Sequence, residues 1–359
     1  MNEMNERVAL SDKNAVEAVP YRNNDKDNAV SRLNSIVSAL KEDRLISLIV
    51  EPTSHCDLAC AYCGMHSSEY DLEDSNNGKV ARKKKAHMKL RDFSMLVEKI
   101  AGLKPLNVLY FSGHGEPLLN NDLPEMISLA KKAKIASQIV VLTNGTLLTS
   151  EKLSTLVASG VDEIRFGLDA ISPEAYLPMK GVDKSAIVKR NLGACLSEIR
   201  SENLSVRLMI ECIRLKRPII TGALSEEELI LKEFGKTISD TPGVVLRWRD
   251  EIDWVGQMGH GHSTSRKLPC EYPFYVLLLH ADGGVSSCCA DTSKQFLIAD
   301  IKNINHFGEV LQSERLRELR RSLLRLDFDR LSLCRRCDFH SVVDEELFAN
   351  RDMLLELLN

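Results

Sequence analysis

Residues 51–64 read EPTSHCDLACAYCG and place three cysteines within a stretch of eight residues. Cys56, Cys60 and Cys63 have the spacing C-x3-C-x2-C. A closed structural zinc site uses four ligands, and a disulfide needs an even number of thiols. Three thiolates on one short loop after a strand can instead hold three irons of a [4Fe–4S] cluster. The loop therefore predicts a metal centre that keeps one position open for a small ligand.

On both sides of this loop, short β-rich runs alternate with segments of helical periodicity. The predicted strands are residues 45–51, 107–112, 138–143, 162–169, 204–211 and 244–250. The predicted helices between them are residues 92–102, 123–134, 150–159, 186–201 and 225–237. Strand–helix alternation is typical of a parallel sheet with right-handed crossovers. Six such units predict an α/β fold with a partial (β/α)6 barrel, because a closed barrel of this kind needs eight.

The composition argues against nucleic-acid binding and membrane insertion. The 359 residues include 44% hydrophobic and 27% charged residues, and the formal net charge is -4, so there is no large basic field. No apolar run approaches the roughly 20 residues of a membrane span, and the polar residues 1–28 do not resemble a secretory signal. We therefore expect a cytoplasmic protein whose ten cysteines serve metal or redox chemistry rather than disulfides.

The patterns divide the chain into four segments. Residues 1–45 are predicted to form an arm and a short helix, and residues 46–262 the barrel. The alternation is lost from residue 263, and YVLLLHADGGVSSCC (275–289) predicts a hairpin with Asp-Gly at its turn. Residues 263–340 are therefore predicted to form a second, smaller module with five further cysteines, followed by a C-terminal helix in residues 341–359.

The first cysteine loop resembles the signature of the radical S-adenosylmethionine (SAM) superfamily, C-x3-C-x-aromatic-C, with Tyr62 as the aromatic residue. Three more motifs of that family follow on successive predicted strands, namely SGHGEP (112–117), LTNG (142–145) and RFGLDA (165–170). The resemblance implies that the open iron binds the amino and carboxylate groups of SAM. One electron then splits SAM, and the resulting 5′-deoxyadenosyl radical abstracts a hydrogen atom from an unactivated C–H bond.

The same resemblance implies which residues surround SAM. Gly115 and Glu116 would hold the SAM amino group. Asn144 would lie near the cofactor at the end of the third predicted strand. Asp169 occupies the acidic position of the fourth-strand motif. We therefore expect these four residues, together with Tyr62, to form the cofactor-binding wall.

Two positions depart from the family pattern. His114 replaces the first glycine of the GGEP motif, and Gly167 stands where serine is usual, so one polar contact to SAM is expected to be missing. The alternative interpretations of the cysteine loop are a zinc loop or cysteines buried as small apolar residues. Neither alternative explains why GEP and TNG follow on successive strands.

The C-terminal module contains a second cysteine set. It includes the pattern C-x12-G-x4-C, counted through Gly283, and a CxxC pair. The pattern resembles the SPASM region of radical SAM enzymes in its shortened, twitch form. The resemblance implies one auxiliary [4Fe–4S] cluster bound by Cys270, Cys288, Cys334 and Cys337. Cys289 competes with Cys288 as the second ligand, and a zinc site closed by four thiolates is the alternative.

Alternation along the strands separates a lumen face from a face that packs on the outer helices. Glu211 and Arg249 are predicted to face the lumen near the C-terminal strand ends, where function concentrates in such barrels. They are the candidate catalytic residues, for substrate binding or proton handling, and a structural salt bridge is the alternative. Cys212 has the opposite parity and is predicted to be a packed core cysteine. A thiol there could otherwise return a hydrogen atom to a substrate radical.

These features predict a radical SAM enzyme that oxidises or epimerises a small polar substrate. Its cofactors would be two [4Fe–4S] clusters and SAM, with a flavodoxin- or ferredoxin-type electron donor. The pattern is most similar to aminocyclitol dehydrogenases and related sugar and peptide epimerases. Two-electron oxidation of a sugar or aminocyclitol is the leading reaction, with the auxiliary cluster as acceptor of the second electron. The alternatives are epimerisation with a cysteine hydrogen donor, maturation of a ribosomal peptide, and a non-catalytic iron–sulfur or zinc protein.

Overall fold

A nine-stranded sheet forms the centre of the protein. The computed structural model describes residues 26–67, 73–74, 78–79, 85–215, 224–251, 266–335 and 337–359. In chain order, the strands are β1 (Ser47–Val50), β2 (Glu73–Asp74), β3 (Gly78–Lys79), β4 (Leu106–Phe111), β5 (Ala136–Thr143), β6 (Glu163–Gly167), β7 (Arg207–Arg214), β8 (Val244–Asp250), β9 (Val276–Leu279), β10 (Gly284–Ser286) and β11 (Leu297–Asp300). The pair β2 and β3 forms a separate small sheet.

Helices of very different lengths surround this sheet. In chain order, they are α1 (Lys26–Lys41), α2 (Leu90–Ile100), α3 (Leu123–Ala133), α4 (Ser150–Ser159), α5 (Pro173–Lys180), α6 (Ser185–Ser201), α7 (Glu226–Ser239), α8 (Tyr272–Tyr275), α9 (Gly308–Leu311), α10 (Glu314–Leu324), α11 (Ser332–Arg335), α12 (Val342–Ala349) and α13 (Arg351–Leu357). None of the helices in the described ranges is both long enough and apolar enough to cross a membrane.

Six strands form the predicted partial barrel. They are parallel and lie side by side in the order β1-β4-β5-β6-β7-β8. The predicted alternation holds along β6, where Ile164 and Phe166 are fully buried on the face that packs on the helices. Within the described residues β8 is an edge strand, so the sheet does not close. The predicted α/β class and open barrel are confirmed.

Helix α5 was missed by the sequence analysis. It begins after Ser172, whose side chain accepts a hydrogen bond from the backbone N–H of Ala175, and it has proline at its first position. It ends at Gly181, where φ is +74°. Pro178 lies inside the helix and the apolar residues show little helical periodicity, so the pattern used to predict the other helices is weak here.

The predicted hairpin of the C-terminal module forms, and it joins the barrel sheet. Its turn contains Gly283 with φ +103°. Strand β9 pairs in parallel with β1, with Val50 opposite Leu279, and β10 and β11 continue the sheet antiparallel. The ends of β1, β4 and β9 therefore lie next to one another. The boundary between the barrel and the second module stays a prediction, because residues 252–265 lie outside the described residues.

Helix α1 packs on the C-terminal part of the chain rather than on the barrel. It shares an apolar cluster with α8, α10, α12 and α13. Cys270 and Cys334 pack against the same cluster. Residues 341–359 contain two helices instead of the single helix predicted. The break falls at Asn350, whose backbone is not helical (φ −107°, ψ 17°) and whose side chain donates to the Glu346 carbonyl at 2.9 Å.

Candidate active site

The first cysteine loop is fixed by backbone contacts with the end of α5. The N–H of Ala59 donates to the Lys180 carbonyl at 3.0 Å, and the N–H of Ala61 donates to the Met179 carbonyl at 2.9 Å. A Cβ atom at Gly181 would lie 2.5 Å from the Ala59 carbonyl oxygen, so only glycine fits at this approach. The helix that the sequence analysis missed therefore positions the loop that it predicted.

Asp57 fixes the same loop to the end of β5. One carboxylate oxygen accepts from Asn144 Nδ2 at 2.8 Å, and the other accepts from Thr146 Oγ1 and Lys184 Nζ, each at 2.6 Å. Burial opposes ionisation of Asp57, but these hydrogen bonds, with Lys184 first, outweigh it and hold its pKa below the ordinary value. The arrangement brings Asn144 Nδ2 to 3.9 Å from Cys56 Sγ. The sequence analysis missed Asp57, although it directly follows a predicted cluster ligand.

The three thiols of the loop are suitable ligands for a cationic iron–sulfur core. Cys56, Cys60 and Cys63 are partly buried and are not in disulfides. Burial, with a smaller contribution from a neighbouring thiol in each case, raises the pKa of Cys56 to about 12 and that of Cys60 to about 11. Thiolates so close together are stable only beside positive charge, and an iron–sulfur core provides it. Lys180 already supplies one positive charge, which lowers the pKa of Cys60.

Glu116 connects the ends of β4 and β5. One of its carboxylate oxygens accepts from Thr143 Oγ1 at 2.7 Å and from the N–H of Leu118 at 3.0 Å. The other accepts from the N–H of Asn144 at 2.7 Å, and the Glu116 N–H donates to the His55 carbonyl. Burial raises the pKa of Glu116 to about 7. Its side chain therefore holds the backbone around the predicted SAM position.

Two glycines of the SAM motifs, Gly115 and Gly167, differ in the space around them. A Cβ atom at Gly115 would lie 2.3 Å from the Thr53 carbonyl oxygen and 2.4 Å from that of His55. Only glycine therefore fits at position 115, because the GEP segment lies directly against the backbone of residues 53–55, which lead into the cysteine loop. A Cβ atom at Gly167 would meet the Thr143 carbonyl oxygen at 3.5 Å, an ordinary contact. The serine usual in the family would fit at Gly167, so its absence has no steric cause.

Replacing Glu116 with alanine should weaken SAM binding and leave both clusters in place. The change leaves buried donors of Thr143, Asn144 and Leu118 without their acceptor, at a cost of about 1–3 kcal/mol each. We expect the dissociation constant for SAM, measured by anaerobic calorimetry, to rise about tenfold or more. The control is Glu125→Ala, at an exposed position on α3. Unchanged SAM affinity in Glu116→Ala would refute the assignment of Glu116 to the SAM-binding site.

Asp169 lies at the centre of a buried polar cluster after β6. One carboxylate oxygen accepts from the Tyr62 hydroxyl at 2.5 Å and from Lys180, and the other accepts from the N–H of Ile213 at 2.7 Å. Burial disfavours the ammonium of Lys180, but Asp169 outweighs this and raises its pKa above the ordinary value. The sequence analysis predicted Tyr62 and Asp169 here and missed Lys180. A buried lysine cannot be recognised without the helix that carries it.

One cavity brings together the predicted residues of the first cluster, of SAM and of the substrate. They are Cys56, Cys60, Cys63, Tyr62, Gly115, Glu116, Asn144, Asp169, Glu211 and Arg249. Arg165, which also lines the cavity, donates to Glu163 at 2.6 Å and was not predicted as a site residue. The strand ends predicted to carry function therefore face a common space.

The carboxylate of Glu211 lies near the guanidinium groups of two arginines. Its exposed fraction is 8%, and its carboxylate lies 3.8 Å from Arg247 and 3.6 Å from Arg249. These distances exceed those of hydrogen bonds. Among the described residues, the buried Oε1 atom of Glu211 has no hydrogen-bond partner. Such an oxygen is available to accept a hydrogen bond from a bound molecule.

Cys212 lies on the other face of β7. It is fully buried in the apolar core with Leu208 and Ile210, as its parity predicted. Burial raises the pKa of its thiol well above the ordinary range. Cys212 is not among the described residues that line the cavity, so it is poorly placed to donate a hydrogen atom there.

The cysteines of the second set converge, with different neighbours for Cys288 and Cys289. Burial raises the pKa of the Cys288 thiol well above its ordinary value, and nearby thiols raise it further, namely those of Cys289, Cys334, Cys270 and Cys337. Burial raises the pKa of Cys289 to about 11, with Cys337 raising it and Arg249 lowering it. The thiol of Cys288 is therefore influenced by all three of the other predicted ligands, whereas that of Cys289 is influenced by Cys337 and by the lumen residue Arg249.

Arg266 supplies the positive charge of the second set. Its guanidinium forms a fully buried ion pair with Asp344 at 2.7 Å. It also donates to the carbonyls of Pro269 and Phe339, and so connects the segments on either side of the four thiols. Burial raises the pKa of Cys270, and Arg266 lowers it. The donor set and this cation suit an anionic thiolate-bound cluster, and the sequence analysis missed Arg266.

Two family models match the chain. The radical SAM superfamily matches residues 50–210, and an iron–sulfur cluster-binding domain, SPASM, matches residues 270–338. The first match contains the cysteine loop and the strand ends that form the cavity. The second contains all four predicted ligands of the auxiliary cluster.

The chain is similar to relatives of two kinds, a peptide cyclase and a dehydrogenase. The PqqA peptide cyclase of Gluconobacter oxydans is 32% identical over 163 residues, which are 45% of this chain and 40% of the cyclase. The chain thus spans less than half of that relative. The S-adenosyl-L-methionine-dependent 2-deoxy-scyllo-inosamine dehydrogenase of Niallia circulans is 20% identical over 311 residues, which are 85% of this chain and 98% of the dehydrogenase.

Solved structures show the same fold. BtrN in complex with AdoMet and 2-DOIA matches with a TM-score of 0.53 and 18% identity, over 84% of this chain and 96% of BtrN. Native anSMEcpe with bound AdoMet matches with a TM-score of 0.54 and 17% identity, over 87% of this chain and 99% of anSMEcpe. At these identities the likeness is one of fold.

Proposed function

Because the chain belongs to the radical SAM superfamily and carries a SPASM-type iron–sulfur domain, we propose that it oxidises an alcohol carbon of a sugar or aminocyclitol. The observation that carries this proposal is the Glu211 carboxylate, which lines the cavity together with Arg249 and whose Oε1 accepts no hydrogen bond from the described residues. The charge of Arg249 also acts on the thiol of Cys289, next to the predicted ligand Cys288. The candidate proton acceptor thus lies beside an arginine whose charge reaches the second cysteine set.

In this proposal three groups of side chains hold the cofactors. Cys56, Cys60 and Cys63 bind the first [4Fe–4S] cluster. Residues at the strand ends bind SAM, namely Tyr62, Gly115, Glu116, Asn144 and Asp169. The auxiliary cluster is bound by Cys270, Cys288, Cys334 and Cys337. When bound, these groups supply hydrogen-atom abstraction through a 5′-deoxyadenosyl radical and the acceptance of one electron.

The chain's own residues handle the proton. Removal of a hydrogen atom from an alcohol carbon leaves a carbon radical, and formation of the ketone then requires loss of the hydroxyl proton and one electron. Glu211 accepts the hydroxyl proton at Oε1. Arg247 and Arg249 place positive charge within 3.8 Å of the Glu211 carboxylate. An auxiliary cluster held by Cys270, Cys288, Cys334 and Cys337 would supply the acceptor for the remaining electron, so that the oxidation balances.

The partners and location follow from the same chemistry. A flavodoxin- or ferredoxin-type protein in the cytoplasm is the proposed source of the electron that cleaves SAM. The substrate is a small polar molecule, because both carboxylate and guanidinium groups line the cavity. The similarity to a 2-deoxy-scyllo-inosamine dehydrogenase over most of both chains favours an aminocyclitol over a peptide.

Mass spectrometry of the product tests the reaction. The reconstituted protein is incubated anaerobically with SAM, a reductant and candidate sugars or aminocyclitols. We expect a product lighter than the substrate by two hydrogen atoms, and Cys212→Ser should retain most of the activity because Cys212 is a core residue. In D2O, a product of unchanged composition with one carbon-bound deuterium would indicate epimerisation instead. Loss of turnover in Cys212→Ser or Cys289→Ser would then identify the hydrogen donor.

A further inference from the structure

Three buried side chains meet where β1, β4 and β9 end side by side. Glu51 directly follows β1, His280 directly follows β9, and His114 lies in the turn after β4. The registers of β1 with β4 and of β1 with β9 bring these positions together. Glu51 and His280 are fully buried, and His114 has an exposed fraction of 4%. The cavity described above includes only His114 of the three among its described lining residues.

The distances among these side chains suit a tetrahedral metal ion. His114 Nδ1 lies 3.3 Å from Glu51 Oε1, and His280 Nδ1 lies 3.6 Å from Glu51 Oε2. The potential ligand atoms of the three residues lie within 4.8 Å of one another. Ligands at zinc distances of 2.0–2.1 Å around a tetrahedral centre are about 3.3 Å apart. A charge-assisted hydrogen bond would be shorter, at about 2.7–2.9 Å.

The outer contacts of the histidines turn their Nδ1 atoms toward Glu51. His114 Nε2 lies 2.8 Å from the carbonyl oxygen of Cys289, which can only accept, so Nε2 carries the proton. His114 Nδ1 has no hydrogen-bond partner among the described residues. His280 Nε2 lies 2.7 Å from Ser286 Oγ. A metal-binding histidine typically donates its other ring N–H to a carbonyl or a similar acceptor in this way.

The carboxylate of Glu51 is oriented by backbone groups. Oε1 accepts from the N–H of His114 at 3.2 Å, and Oε2 accepts from the N–H of Ala281 at 3.0 Å. Each oxygen therefore has one backbone donor and one imidazole nitrogen near it. Imidazole and carboxylate ligands in tetrahedral geometry favour Zn²⁺ among the common divalent ions.

We propose that Glu51, His114 and His280 supply three of the four ligands of one Zn²⁺ ion. The ion joins β1, the segment that carries the GEP motif and the hairpin of the SPASM domain. Through His114 it also fixes the backbone of Cys289, beside the predicted auxiliary ligand Cys288. The site is separate from both cysteine sets and does not depend on the proposed reaction.

Elemental analysis of the holoenzyme tests the zinc site. The protein is produced with zinc in the medium, reconstituted anaerobically and desalted, and zinc and iron are measured by mass spectrometry. We expect about one zinc per chain, and at least a tenfold lower zinc content in His114→Asn and in His280→Asn. The control His306→Asn, an exposed histidine near α2, should keep its zinc. Iron content reports separately whether the clusters are retained.

X-ray absorption at the zinc edge of the wild-type holoenzyme needs no variant. We expect a first shell of nitrogen and oxygen at about 2.0 Å. A shell of sulfur at about 2.3 Å would place the zinc in a cysteine set and overturn the proposal. Less than one-tenth of a zinc per chain would also overturn it and leave Glu51 and the histidines as a buried polar cluster. Neither result bears on oxidation of the substrate.

Discussion

Replacement of Cys56, Cys60 and Cys63 together with alanine is expected to abolish 5′-deoxyadenosine formation. The three thiols lie on one loop that is fixed by Asp57 and by the end of α5, and no other described cysteine lines the same cavity. The wild-type protein, reconstituted anaerobically, should bind about eight irons in two clusters, and the triple variant about four. Iron analysis and chromatography of the SAM cleavage products measure the two effects.

The matched control for this variant is Cys195→Ala. Cys195 is buried in the core on α6, where its thiol contacts the Leu148 carbonyl. The Cys195→Ala variant should therefore keep about eight irons and cleave SAM normally. If the triple variant kept eight irons, the first cluster would have other ligands. Full activity of a protein that contains only zinc would rule out the radical mechanism.

The change Glu211→Gln is expected to lower substrate turnover by about 10²–10⁴-fold, the usual contribution of a proton acceptor. Glutamine keeps the size of the side chain but cannot take the hydroxyl proton at neutral pH. SAM cleavage without substrate should continue, because the Glu211 carboxylate pairs with Arg247 and Arg249 rather than with the cysteine loop or Glu116. The ratio of ketone product to 5′-deoxyadenosine should therefore fall.

A comparison with a surface glutamate separates this effect from a loss of stability. Glu227→Gln removes an exposed carboxylate that pairs with Arg214 at 3.3 Å, and it should leave turnover unchanged. If Glu211→Gln raised KM and left kcat intact, Glu211 would bind the substrate without taking its proton. Unchanged kcat and KM would show that Glu211 and its arginines form only a structural salt bridge.

The sequence predicted those parts of the site that have local signatures. The cysteine spacing predicted the loop, and the motifs at the ends of β4, β5 and β6 predicted residues that do line one cavity. Strand parity placed Glu211 in the lumen and Cys212 in the core, because side chains alternate strictly between the two faces of a strand.

Helix α5 shows why other parts could not be predicted from periodicity. Its apolar residues lack a clear stripe and Pro178 interrupts it, so the helical pattern was not recognised. Its capping signals were nevertheless present, since Ser172 is followed by proline and Glu174. Without α5, neither Lys180 nor its contact with Asp169 could be foreseen.

The pairing of β9 with β1 had no local signature at all. The Asp-Gly turn predicted the hairpin, since a turn of this kind is encoded by neighbouring residues. Parallel pairing joins segments more than 200 residues apart, and the sequence of β9 does not specify its partner. Consequently the meeting of Glu51, His114 and His280 could be found only in the structure.

The position of α1 has a consequence for the order in which the protein folds. During synthesis α1 leaves the ribosome before any strand of the barrel, but α12 and α13, which cover it, are made last of the described elements. The three thiols of the first loop lie within eight residues and can be brought together early. The apolar cluster against which Cys270 and Cys334 pack is complete only after α12 and α13 have emerged. The second cysteine set therefore depends on contacts that form later during synthesis than those of the first loop.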